Sequence, residues 1–144
     1  MSNDIHFRKL ENMYHAAPCN EYYQPRLTVG EGQAEVIIPV KESLFHAAGA
    51  AHGAVYFKAL DDAAFFSANS LVEDVFVLTA SFNVYLTRPV SSGEVRASGK
   101  VVSQSGGQLI AEAILYDSDG QEIAVGTGSF RRSRIELSEK IGYR

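Results

Sequence analysis

The chain has 144 residues, 46% hydrophobic and 21% charged, which is enough apolar material for one core and too little length for two. Thirteen basic against 17 acidic residues leave a formal charge of -4, so the basic surplus that nucleic-acid binding demands is missing and no nucleic-acid partner is expected. Cys19 is the single cysteine, which excludes an internal disulfide framework and a multi-cysteine zinc site and fits a reducing, cytoplasmic setting.

Asp4, Arg8, Lys9 and Glu11 stand where a secretion signal would need an apolar run. Phe7, Leu10, Met13 and Tyr14 recur at helical spacing and predict a short amphipathic helix over about 4–16, stopped before Pro18. Residues 26–40 read as one long first strand. A loop over 41–49 leads into the main helix, from His52 to about Asn69, alanine-rich with aromatics at 56, 57, 65 and 66. The longest uncharged stretch, Ser43 to Phe57, falls short of the ~20 residues of a membrane helix, so no membrane partner is expected.

After Asp74 the period changes to two. Phe76, Leu78, Ala80, Phe82, Val84 and Leu86 alternate with their neighbours as a half-buried strand ending at Arg88-Pro89. Turn signals at Ser91-Ser92-Gly93, Ser105-Gly106-Gly107 and 117–120 divide the remainder into three more strands, so that four strands form a hairpin-linked meander. Residues 135–144 read as a mobile polar tail. The whole chain, 1–144, is then a single domain with its core over about 26–134. Its class is α+β, an antiparallel sheet of five to six strands covered by one long helix.

Within that helix Lys58, Asp61 and Asp62 are the anomalies, because the rest is apolar nearly all round. Asp62 has Lys58 four residues earlier, and a solvated ion pair explains it. Asp61 lies between Phe57 and Phe65 at the same spacing, where a carboxylate needs a purpose or a partner, although Lys58 could pair with it instead. Gly53 marks the helix start, where free N–H groups and the dipole can hold an oxyanion; it could equally serve only a tight turn. Gly53 and Asp61 are eight residues apart, about 12 Å along a helix, too far to act on one carbonyl carbon. If both act, they come from different protomers across a two-fold axis. His46 and His52 lie six apart, without the spacing of a helical zinc pair or a third ligand, so no metal is expected.

The run Gly49-Ala50-Ala51-His52-Gly53-Ala54 with Asp61 nine residues after the histidine is similar to the hotdog-fold acyl-CoA thioesterases, in particular the phenylacetate-pathway (PaaI-type) branch. Thr79 to Val84, Arg88-Pro89, Asp117 to Gly120 and Ala124 to Phe130 extend the resemblance over roughly residues 27–132. It implies a sheet wrapped round a central helix, a homodimer or homotetramer with sites at the protomer interface, and cofactor-free hydrolysis of an acyl-CoA. Asp61 would be general base or nucleophile, the Gly53 N–H the oxyanion donor, and Thr79 a hydroxyl that positions water, with His52 and His46 beside them. Gly49 and Ala54 would border the substrate, Phe57 and Phe65 would face its acyl group, and Arg88, Arg131 or Arg132 would meet the CoA phosphates. Two departures stand out: His46 replaces the family's Asn or Gln, and Ala54 replaces its second glycine. His46, with a hairpin at 104–108 that lacks arginines, leaves a second reading open, a catalytically silent hotdog domain that binds an acyl-CoA or apolar ligand. A dehydratase is disfavoured, since no Asp and His share one helix in the arrangement that chemistry uses.

Overall fold

The computed structural model describes residues 3–144. Helix α1 (Asp4–Ala16) buries Phe7, Leu10, Met13 and Tyr14, the stripe its spacing predicts, and a short helix α2 (Asn20–Tyr23) follows Pro18. The expected single long strand over 26–40 is instead two, β1 (Arg26–Gly30) and β2 (Gln33–Pro39), paired antiparallel. The chain reverses through Glu31-Gly32, where Gly32 adopts the left-handed conformation at φ +67 that a β-carbon resists.

The main helix α3 (Gly53–Asn69) is followed by β3 (Val75–Leu86), β4 (Glu94–Ser105), β5 (Gln108–Tyr116) and β6 (Glu122–Glu136). They form one antiparallel sheet of six strands in the order β1-β2-β4-β5-β6-β3. The expected four-strand meander is therefore corrected: β4, β5 and β6 follow one another, but β3 pairs with β6 at the far edge. Ser91-Ser92-Gly93 belongs to a crossover, because β2 and β5 already occupy both sides of β4. Periodicity tells which face a strand buries and says nothing of its neighbour.

All six strands touch α3, so the twisted sheet wraps the helix as the resemblance implies, and the fold is the hotdog. Ala59, Ala63, Ala64 and Ala68 are fully buried and let the helix sit close to the strands. Closest approach is at Gly99 in β4, where a β-carbon would lie 2.6 Å from the Ala63 carbonyl oxygen. In β6, Gly126 and Gly128 leave room for the Phe82 ring, which a β-carbon at either would strike.

The segment 135–144, expected to be a mobile tail, packs back on α1. Tyr143 Oη lies 2.7 Å from Nδ1 of the buried His6, whose Nε2 lies 2.9 Å from the Asn69 carbonyl oxygen, and Leu137, Ile141 and Tyr143 pack against the core. Apolar residues within the polar tail supply the contacts that hold it. No helix among the described residues is long and apolar enough to cross a membrane.

Candidate active site

The loop before α3 is built to start a helix. Gly49 turns the chain at φ +85, and His52 stands in extended conformation as the N-cap, its Nδ1 accepting the Ala54 N–H at 2.9 Å. His46 Nδ1 accepts the Ala48 N–H in the same way, at 3.1 Å. Both histidines thus spend one ring nitrogen on the backbone, which leaves each Nε2 to carry the proton. The Gly53 N–H has no acceptor among the described residues, as the first turn of a helix leads one to expect. It opens, with His46, Tyr56, Leu86 and Arg88, on a cavity of about 400 Å³. Tyr56 Oη fixes that wall by donating to the Arg88 carbonyl at 2.7 Å.

Asp61 lies more than two turns further along α3, in a different cavity of about 280 Å³ with Phe65, Phe76, Leu78 and Thr79 among its walls. Thr79 Oγ1 donates to Asp61 Oδ1 at 3.0 Å, and Asp61 Oδ2 meets no donor of the described residues. Burial pushes the Asp61 carboxyl up to about 6; the neighbouring Asp62 charge adds to this, while the Thr79 hydrogen bond and the Lys58 charge oppose it.

A β-bulge places Thr79 there. Register slips between Thr79 and Ser81 against Phe130 and Ser129, so Val77 and Thr79 face the helix before the slip and Phe82 and Val84 after it. The strict alternation expected over 76–86 is corrected accordingly: Leu78 and Ala80 are exposed.

Asp62 is paired with Lys58 as expected, at 2.9 Å, but the pair is not solvated. The expected solvation fails because α1 folds over it: Tyr14 Oη donates to the same Asp62 oxygen at 2.6 Å, and Lys58 sits over the rings of Tyr14 and Tyr23. With Lys58 engaged by Asp62, Asp61 is left to Thr79. Tyr14 was legible only as a core residue, since nothing in its helix points to a carboxylate 48 positions away.

The two cavities divide the candidate residues. Asp61, Thr79 and the buried Phe65 stand together; Gly53, His46 and Arg88 stand together; one chain does not unite the two groups. Gly49, His52 and Ala54 are exposed around the helix start. Phe57 is 42% exposed and meets Phe82 edge-on at 5.5 Å, away from Asp61's cavity walls. Arg131 and Arg132 are exposed on β6, and Arg132 is paired with Asp74 at 2.6 Å. His15 accepts the Leu27 N–H at 3.0 Å and ties α1 to β1.

The sequence model of the thioesterase superfamily matches residues 48–124, which include both cavities' helix and the strand β3. A Saccharolobus solfataricus protein that carries a provisional esterase name is 25% identical over 114 residues, 79% of this chain and 81% of its own length. Among solved structures, the E. coli PaaI protein from the phenylacetic acid degradation operon superposes with a TM-score of 0.86 over 96% of this chain and 100% of its own, at 17% identity, a likeness of fold. A thioesterase family protein of Silicibacter pomeroyi gives 0.79 over 86% and 95% respectively, at 26% identity.

Proposed function

The chain belongs to the thioesterase superfamily, and from that membership we propose that it hydrolyses an acyl-CoA thioester, consuming one water and releasing the free acid and CoA. The observation that carries this reading is the Asp61 carboxylate, which combines a raised pKa, an apolar-walled cavity, one oxygen anchored by Thr79 and one left over. A base of this kind is ionised at neutral pH yet strong enough to take a proton from water. Either Asp61 deprotonates a water that attacks the carbonyl, or it attacks directly and water then cleaves the mixed anhydride. In both routes charge builds on the carbonyl oxygen, and the Gly53 N–H at the positive end of α3 is the donor suited to it. The thiolate leaves and regains its proton from the protonated Asp61 in the first route and from solvent in the second, where Asp61 is acylated when the thiolate departs.

A two-fold pairing of β3 edges supports a shared site. The outer edge of β3 is 12 residues long and carries exposed Leu78, Tyr85 and Leu86, a surface that natural sheets rarely leave uncovered. The start of β3 borders the Asp61 cavity through Phe76, Leu78 and Thr79, and its end borders the Gly53 cavity through Leu86. Antiparallel pairing of two such edges sets the start of one against the end of the other. Asp61 of one protomer then meets Gly53 of the second, giving two equivalent sites. Sedimentation of the active protein is expected to show a dimer or tetramer; full activity in a monomer would sink the shared site.

Thiol release from a panel of aryl and aliphatic acyl-CoAs tests the activity. kcat/KM is expected to rise with pH to a plateau, with an apparent pKa near the value of about 6 set by burial of Asp61. Thr79→Val removes a hydrogen bond that favours the ionised form, so the rising limb moves to higher pH and activity at pH 6 falls further than at pH 8. His46→Asn is expected to retain the limb. A limb abolished by His46→Asn and unmoved by Thr79→Val would transfer the base to His46.

A further inference from the structure

Two cavities meet behind Asp61. The one it lines holds about 280 Å³, and a larger one of about 640 Å³ opens between the end of α1 and residues 135–144. Met13, Ala17 and Phe76 line both and form the wall between them. That wall can yield: Met13 is unbranched with three rotatable side-chain bonds, and Phe76 is only partly buried. On the far side Ile135, 45% exposed, and Ile141 present apolar surface.

From this arrangement we infer that the groove between α1 and the C-terminal turn is an acyl-chain subsite, and that the substrate is a medium- to long-chain aliphatic thioester. The inference rests on the hydrolase reading above and deepens it. With the thioester at Asp61, an aliphatic chain passes between Met13 and Phe76 and lies against Ile135 and Ile141. The Asp61 cavity of about 280 Å³ is small, and the groove of about 640 Å³ behind it adds room in a direction away from the start of α3. A thin flexible chain is the acyl group that threads a side-chain wall.

Calorimetry on Asp61→Asn protein, in which turnover is slowed about 10³-fold, compares butanoyl-CoA with dodecanoyl-CoA. Each methylene buried strengthens binding about fourfold, so burial of three to four of the eight extra methylenes makes dodecanoyl-CoA bind about 100-fold more tightly, and burial of more of them tighter still. Ala16→Trp and Ile135→Trp fill the groove from opposite walls at exposed positions, where the fold tolerates bulk. Each is expected to reduce that difference at least about tenfold. Equal affinity for the two chain lengths, or a difference that survives both substitutions, overturns the subsite. Thiol release by the wild-type protein is judged separately: chain-dependent binding without any turnover leaves the groove standing and removes the hydrolase reading.

Discussion

Asp61→Asn lowers kcat/KM for acyl-CoA hydrolysis by about 10³-fold and raises the melting temperature. The loss follows from removing the base while keeping its shape, since asparagine can still accept the Thr79 hydroxyl with its carbonyl oxygen. The gain in stability follows from linkage. Folding raises the Asp61 pKa from 3.8 to about 6. Its contribution to stability is therefore fully present below pH ~4 and is lost as pH rises through about 6, so at pH 7.5 the ionised carboxylate weighs against the fold. Replacing it recovers about 1–3 kcal/mol, or roughly 3–10 °C for a domain of this size. Thiol-release kinetics and thermal unfolding on the same preparations check both halves. Activity and stability falling together would make Asp61 a structural group and sink the proposed mechanism.

Gly99→Ala unfolds or severely destabilises the protein, by about 3 kcal/mol or more and roughly 10 °C. The new β-carbon would lie 2.6 Å from the Ala63 carbonyl oxygen, 2.7 Å from its carbon and 3.0 Å from the Ala64 nitrogen. All three are backbone atoms in the middle of α3, with no flexible side chain to give way. Relief requires the helix to lift from β4, and α3 is the element that holds both Asp61 and Gly53. Gly30→Ala is the contrast: its β-carbon meets only the Gln33 side chain at 3.3 Å, which can swing aside. Thermal unfolding that finds the two variants equally stable would contradict the close seating of α3 on the sheet.

The difference between these positions was invisible in the sequence, where Gly99 is one small residue in an alternating run. The site was legible to a different degree residue by residue. Asp61 stood out because a carboxylate between Phe57 and Phe65 on an apolar helix is costly without a purpose, and the impossibility of reaching Gly53 along one helix pointed to two protomers. Thr79 was named by resemblance alone. Its contact with Asp61 depends on the bulge before Ser81, which inverts which residues of β3 face inward. A local pattern of alternating apolar residues cannot register that slip, because both faces of this strand carry apolar side chains.

Local chemistry determined what the sequence could tell by itself: the span of α1, the start and length of α3, the strand character after Asp74, and a charged helix residue out of place. These depend on neighbours within a few positions, through helical spacing, capping and period-two alternation. Tertiary structure alone decided the partners. It split residues 26–40 into a hairpin and sent β3 to the far edge beside β6. It also folded Tyr14 over Asp62 and docked the C-terminal segment on α1. Each of these joins residues distant in sequence, and such contacts are chosen by the packing of the whole core, a sum that no local window contains.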